Sequence, residues 1–161
     1  MDYLWSPWRY QYVRGALPSG GCIFCDRAAE RRDAENLIVF RGALNFIILN
    51  RFPYTAGHLM VAPYQHVATL EDAGGEALME MILLAKKAEH RLAEIYHPHG
   101  FNIGMNIGAS AGAGVAEHIH LHVVPRWHGD SNFMTTVGET RVLPEDLGVT
   151  YSKLVAEWAK E

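Results

Sequence analysis

The sequence predicts a single α+β domain built on a mostly antiparallel sheet of about five strands, and three observations carry that prediction. The chain is 161 residues long, enough for one sizeable core and too short for two comfortable ones. Short β-rich runs follow one another with small breaks, which favours locally connected antiparallel pairing. One long segment, from Glu76 to Tyr96, carries apolar residues at helical spacing. No internal repeat or linker divides the chain, so residues 1–161 read as one domain, with an N-terminal arm (1–20) and a C-terminal extension (127–161).

The arm is aromatic, with Trp5, Trp8, Tyr10 and Tyr12, and ends in the loop-like LPSGG. CIFCDRAAERRD reads as a turn into a helix of one or two turns. NLIVFR (36–41) and LNFIILNR (44–51) are β-rich runs, and the Gly42-Ala43 break between them reads as a hairpin. GHLMVAP (57–63) is a third strand, closed by Pro63. In the long helix, Leu78, Ile82, Ala85, Ala88, Leu92 and Ile95 recur every three or four positions, with Glu80, Lys86, Lys87 and Glu94 opposite. Pro98 and Gly100 end it. GFNIGMNIG (100–108) is a fourth strand running into the small-residue loop ASAGAG, and EHIHLHVVPR is the fifth. The extension is turn-rich, then helical from Tyr151 to Lys160.

Composition excludes several classes of function. A net charge of −4 gives no basic footprint for a phosphate backbone, so no nucleic-acid partner is expected. No apolar run approaches the ~18 residues that cross a bilayer, so no membrane partner is expected either. MDYLWSPWRYQYVRG lacks the plan of a secretory signal. Both cysteines sit in one CxxC, which leaves nothing for a disulfide framework and points to a reducing cytoplasm.

The most informative stretch is AEHIHLHVVPRW (116–127), which holds three of the nine histidines at alternate positions. On a strand, His118, His120 and His122 share a face, while Ile119, Leu121 and Val123 point the other way. A merely polar sheet face accounts for one such histidine more readily than for three in register. A single metal ion held by all three is strained, because His118 and His122 would lie about 13 Å apart at Cα, against a zinc–nitrogen bond of ~2.1 Å. The row is therefore divided between different tasks. Catalysis is one of them: imidazole titrates near neutral pH and is a competent nucleophile toward phosphorus. GASAGAG (108–114) lies just upstream, and its small residues let backbone N–H groups approach a phosphate.

Cys22-Ile-Phe-Cys25 has three readings. A redox dithiol is expected after a strand, whereas PSGG precedes this one. Two inert thiols in a small core are a second reading. A structural zinc site is the third; it needs four ligands, of which the CxxC supplies two, and histidines are the abundant candidates for the rest.

The triad segment, His118-Ile-His120-Leu-His122-Val-Val, resembles the signature of the histidine triad (HIT) family. ILNRFPYTAGHLMVAP (48–63), FNIGMNIGASAGAG and CIFC are similar in order to other segments of bacterial, zinc-binding members, over roughly residues 20 to 127. The tail GDSNFMTTVGETRVLPEDL resembles members that process diadenosine tetraphosphate. The resemblance implies a HIT-like fold that dimerises through the long helix and a neighbouring strand, and nucleotidyl transfer through a covalent histidine–nucleotide intermediate. By position, His120 would be the nucleophile. His122 would contact the phosphate or protonate the leaving group, and His118 would support His120 or bind metal. Asn50 matches a nucleoside-contacting position and Asn106 one near the α-phosphate. Cys22, Cys25, His66 and His118 match the zinc ligands of CxxC-bearing members. Where many members have Gly-Gln-Ser or Gly-Gln-Thr, this chain has Gly112-Ala113-Gly114, so the hydroxyl contact to phosphate is missing or passes to backbone, aided by Ser110.

The resulting expectation is a nucleotidyl hydrolase or transferase acting on an adenine nucleotide or dinucleoside polyphosphate, with hydrolysis and phosphorolysis both open. Magnesium is expected only in company with the substrate. Adenosine phosphoramidate hydrolysis, a zinc-dependent hydrolase and a nucleotide-binding scaffold with little turnover are the rivals. His58 is expected to pack at a turn. His90 is read as solvated or interfacial, and His97, His99 and His128 as turn residues. Asn132 and Phe133 are candidates to close over the nucleotide.

Overall fold

The computed structural model describes residues 21–131 and 145–160. The arm 1–20 and the residues Asn132 and Phe133 lie outside the described residues. In chain order the elements are α1 (Ile23–Glu30), α2 (Asp33–Asn36), β1 (Ile38–Arg41), β2 (Asn45–Leu49), β3 (Leu59–Pro63), α3 (Gly75–Tyr96), β4 (Gly100–Gly104), a 3-10 turn (Ala109–Ala111), β5 (Leu121–Arg126) and α4 (Leu147–Trp158). The five strands form one antiparallel sheet in the order β1-β2-β3-β5-β4. This is the α+β architecture, a five-stranded antiparallel sheet with one long helix, that the sequence predicts.

Strands β2 and β3 are buried at every position, which explains why NFIIL and LMVAP read as continuous rather than alternating apolar runs. Alternate side chains feed two cores. Ile47, Leu49, Leu59 and Val61 face α3 and α4, together with Met81, Leu84, Ala88, Leu92 and Leu154. Phe46, Ile48, Met60 and Ala62 face the other way, onto Phe24 of α1. The second core is the floor beneath the histidine row.

Several expectations are corrected. On α3, Ala85, Ala88 and Leu92 are buried as predicted and Leu78 and Ile95 pack half-buried against the core, but Ala77, Met81 and Leu84 complete the stripe and Ile82 does not. Ile82 is 57% exposed, beside Met79 and Leu83. Glu80 does not sit on a solvated face. Its carboxylate accepts hydrogen bonds from the N–H groups of Ala43 and Leu44 and from Asn45 Nδ2, each at 2.8 Å, and so clasps the β1–β2 turn. The fourth and fifth strands are shorter than predicted. Gly108 takes a left-handed φ of +80° and opens the 3-10 turn, while β5 begins only at Leu121 because Ile119 N–H pairs instead with Val67 C=O at 2.8 Å. The last helix starts earlier, at Leu147, where Asp146 caps it by accepting from Gly148 N–H.

Candidate active site and metal centre

The residues just before and within β5 hold the site in place. His118 and His120 are buried and His122 is half-buried. Phe24, between the two cysteines, is the common support: its ring centroid lies 5.1 Å from that of His118 and 4.9 Å from that of His120.

His118 belongs to a four-residue cluster with Cys22, Cys25 and His66, whose candidate ligand atoms all lie within 4.8 Å of one another. Cys22 Sγ is 3.2 Å from His118 Nδ1, Cys25 Sγ 3.4 Å from His66 Nδ1 and 3.6 Å from His118 Nδ1, and the two Nδ1 atoms are 3.3 Å apart. Zinc–nitrogen and zinc–sulfur bonds of ~2.1 and ~2.3 Å at tetrahedral angles imply ligand–ligand edges of about 3.4–3.8 Å. The four measured edges are within a few tenths of an ångström of that range. His118 Nε2 donates to Pro63 C=O at 2.9 Å, which leaves the Nδ1 lone pair aimed into the cluster. Burial and the neighbouring Cys22 push the Cys25 thiol up to about 11, so ionisation there calls for a cation. The donor set fits zinc. Among the described residues no other group of three such side chains is gathered closely enough for a metal, so magnesium has no preformed cage there.

The remaining two histidines differ in the nitrogen they leave free. A carbonyl oxygen can only accept, so the 2.9 Å contact between His120 Nδ1 and His118 C=O fixes the proton on Nδ1 and leaves Nε2 with a lone pair. His122 is set the opposite way. The backbone N–H of Tyr54 donates to His58 Nδ1 at 3.1 Å, so His58 carries its proton on Nε2. That nitrogen sits 2.9 Å from His122 Nδ1, which therefore accepts, and His122 carries its own proton on Nε2. The His120 and His122 rings stand edge to face, 4.9 Å apart. Burial pushes both rings below the ordinary histidine range, His122 to about 4, with the neighbouring His120 contributing. Both are neutral at pH 7. The pair thus sets a lone-pair nitrogen next to an N–H donor.

His58 is the residue that sequence reasoning missed. It is fully buried and bonded to the triad, rather than packed idly at a turn. Gly57 presents it: its φ is +76°, and a Cβ there would come within 2.8 Å of Leu92. The available signal was the Gly-His pair at the start of β3.

The other site residues are spread more widely. Asn50 Nδ2 lies 3.4 and 3.5 Å from the two ring nitrogens of His58, and its Oδ1 accepts from Phe52 N–H. Asn106 and His122 line a cleft of about 1020 Å³ that continues past Tyr54 to Arg126, Trp127 and Lys153. In the small-residue loop the N–H groups of Ala111, Gly112 and Ala113 point at carbonyls of Gly108 and Ala109 and close the turn. Gly114 follows them in the chain, half-buried.

Comparison with known proteins agrees with this geometry. A HIT domain model matches residues 31–129. An AP-4-A phosphorylase of Mycobacterium tuberculosis is 41% identical over 168 residues, covering 100% of this chain and 86% of the relative. The adenosine 5'-monophosphoramidase of Schizosaccharomyces pombe is 28% identical over 105 residues, covering 65% of this chain and 74% of the relative. Among solved structures, a zinc-bound histidine triad family protein from Mycobacterium smegmatis superposes with a TM-score of 0.70 at 27% identity, covering 87% of this chain and 94% of that one.

Proposed function

We infer the function from one premise: this chain belongs to the HIT domain family. From it we propose that the protein is a nucleotidyl transferase that cleaves dinucleoside polyphosphates, such as diadenosine tetraphosphate, at the α-phosphate through a covalent His120–AMP intermediate. The observation that carries this reading is the proton arrangement of the triad, a free Nε2 lone pair on His120 beside an Nε2–H on His122.

In the first step His120 Nε2 forms a bond to the α-phosphorus, and the bridging bond from that phosphorus to the β-phosphate oxygen breaks. The leaving ATP carries away the electron pair and meets the His122 N–H. The ring of His120 becomes cationic, and its Nδ1–H bond to His118 C=O strengthens accordingly. In the second step an acceptor oxygen attacks phosphorus and the N–P electron pair returns to Nε2. With orthophosphate as acceptor the product is ADP; with water it is AMP. Phosphate is the acceptor we favour, because the likeness to the M. tuberculosis AP-4-A phosphorylase runs the whole length of this chain. To the nucleotide we assign Asn50, Asn106 and the small residues Gly112, Ala113 and Gly114; with the Gly112 and Ala113 N–H groups turned into the loop, it is the lack of bulky side chains there that admits the phosphate.

A zinc ion held by Cys22, Cys25, His66 and His118 would act structurally, tying α1 to the sheet beneath the triad. No helix among the described residues is long and apolar enough to cross a membrane. We assign the protein to the cytoplasm, where its two free thiols stay reduced. We further propose a homodimer through α3 and the edge strand β4. Met79, Ile82 and Leu83 are 64%, 57% and 52% exposed on adjacent turns of α3, a patch that water covers poorly.

The test is product analysis with diadenosine tetraphosphate in the presence and absence of inorganic phosphate. ADP is expected only with phosphate, and without phosphate ATP release should stop at about one equivalent per site. AMP under both conditions would make water the acceptor. Inertness toward the dinucleotide together with AMP release from adenosine phosphoramidate would move the assignment to the phosphoramidase reading that the S. pombe relative suggests.

A further inference from the structure

The cleft that begins at His122 and Asn106 is larger than one mononucleotide requires. Its volume is about 1020 Å³, near the top of the range for small-molecule sites. Along β5, His122, Val124 and Arg126 all line it, a row of about 13 Å at strand spacing. Beyond that row the cleft ends on aromatic and cationic side chains from the C-terminal extension and the end of α3.

The two cations lining this end differ in availability. Arg126 is fully committed: Nε and Nη2 donate to the Asp130 carboxylate at 2.5 and 2.8 Å, and Nη1 donates to Asn102 Oδ1 at 2.5 Å. The guanidinium pulls Asp130 down to about 2, and diverting Arg126 to a ligand would break all three of these hydrogen bonds. Lys153 is different. Its ammonium pairs with Glu145 Oε1, and its side chain is 48% exposed. Glu145 Oε2 separately accepts from Tyr96 Oη at 2.5 Å and from Thr150 Oγ1 at 2.8 Å. The carboxylate therefore keeps two donors when the lysine swings away. Lys153 also lies 5.6 Å above the Tyr96 ring, and Tyr96 meets Trp127 edge to face at 6.5 Å. A movable cation beside two aromatic rings is the equipment that a nucleoside polyphosphate needs: a counter-charge for phosphate and a surface for a base.

We propose that this end of the cleft is a second subsite, in which Lys153 binds the distal phosphates and Trp127 with Tyr96 receives the distal base of a dinucleoside polyphosphate. The proposal rests on the reading of the triad given above, and it makes Lys153 a specificity-determining residue that acts on the leaving half of the substrate and not on the bond being broken.

The test measures equilibrium binding of diadenosine tetraphosphate and of AMP to full-length protein carrying His120→Asn, which blocks turnover, with and without Lys153→Met or Trp127→Leu. Lys153→Met should weaken the dinucleotide by about tenfold or more while AMP affinity stays within about twofold. Lys153→Arg should restore most of the loss, and melting curves should show each variant folded. Equal affinity of the Lys153→Met and parent proteins for the dinucleotide, or an equal loss for AMP, overturns the subsite. If the wild type turns over no dinucleotide but the Lys153 effect on binding persists, the reaction assignment has failed and the subsite has not. If neither protein binds the dinucleotide, both fail together.

Discussion

His58 Nε2 lies 2.9 Å from His122 Nδ1, and because the Tyr54 amide occupies the other nitrogen of His58, the contact has only one direction. The proton position on a triad ring is thus dictated by a backbone amide two residues removed along a hydrogen-bond chain. The N–H that we propose as donor to the leaving group is set in this way before substrate arrives, with no tautomeric equilibrium to settle.

Replacing His58 tests that chain. His58→Ala should lower turnover by about 10–100-fold, as loss of an outer-shell partner does at comparable sites. His58→Gln should retain more, since its amide can both accept from Tyr54 and donate to His122. Single-turnover rates for both variants, set beside their melting temperatures, check the expectation. Equal damage by both would make His58 a packing residue only.

His120→Asn removes the proposed nucleophile while leaving a polar side chain of smaller volume. Loss of ~3 kcal/mol or more of transition-state stabilisation is expected, with nucleotide binding retained. Mass spectrometry of reactions quenched in alkaline denaturant, which preserves a histidine P–N bond, should find an AMP adduct on the wild type and none on the variant.

Elemental analysis should find one zinc per chain, and stripping it should destabilise the fold more than it slows the chemistry. A loss of ~2–4 kcal/mol would lower Tm by about 5–15 °C in a domain of this size. Turnover of the protein that stays folded should persist, because the cluster donates no atom to the reacting phosphate in this scheme. Abolition of turnover by chelator with the fold intact would favour a metallohydrolase instead.

Acid should unfold the protein earlier than its carboxylates alone would predict. Burial holds His122 at about 4, whereas an unfolded histidine titrates near 6.5, at roughly its reference value. Between those values the unfolded chain binds a proton that the folded chain refuses. Stability present above pH ~6.5 is therefore lost as pH falls toward 4, by up to about 1.4 kcal/mol per pH unit from this group. Urea midpoints at pH 7, 6 and 5 should fall in that order, and His122→Asn should flatten the trend.

Much of this arrangement was legible in the sequence because it depends on local periodicity. The alternation of His118, His120 and His122 put three imidazoles on one face, and the limit on what one ion can reach implied that the row is divided between tasks, while the family resemblance assigned His118 to the metal. The four metal-site residues came together as the family resemblance implied. What escaped the sequence depends on contacts distant along the chain. Nothing local to Gly57-His58 reveals a partner 64 residues away. The apolar pattern of α3 is broad enough that Ile82 and Met81 compete for the core, and only the packing of β2 and β3 against the helix decides for Met81. Glu80 looked solvated because a carboxylate bound by backbone amides has no sequence signature. β4 ends early because its pairing with β5 stops at Gly104 opposite His122, and the 3-10 turn that follows opens on the left-handed φ of Gly108, which a small-residue run permits without specifying.

The clasp of Glu80 on the β1–β2 turn reaches beyond local order. The amides of Ala43 and Leu44 sit on an exposed loop, where deuterium would ordinarily replace their hydrogens quickly. Tethered to the longest helix, they can exchange only when that helix shifts or the carboxylate lets go. The tip of this hairpin is therefore a reporter: its exchange clock reads how firmly the Glu80 carboxylate holds it to the helix beneath.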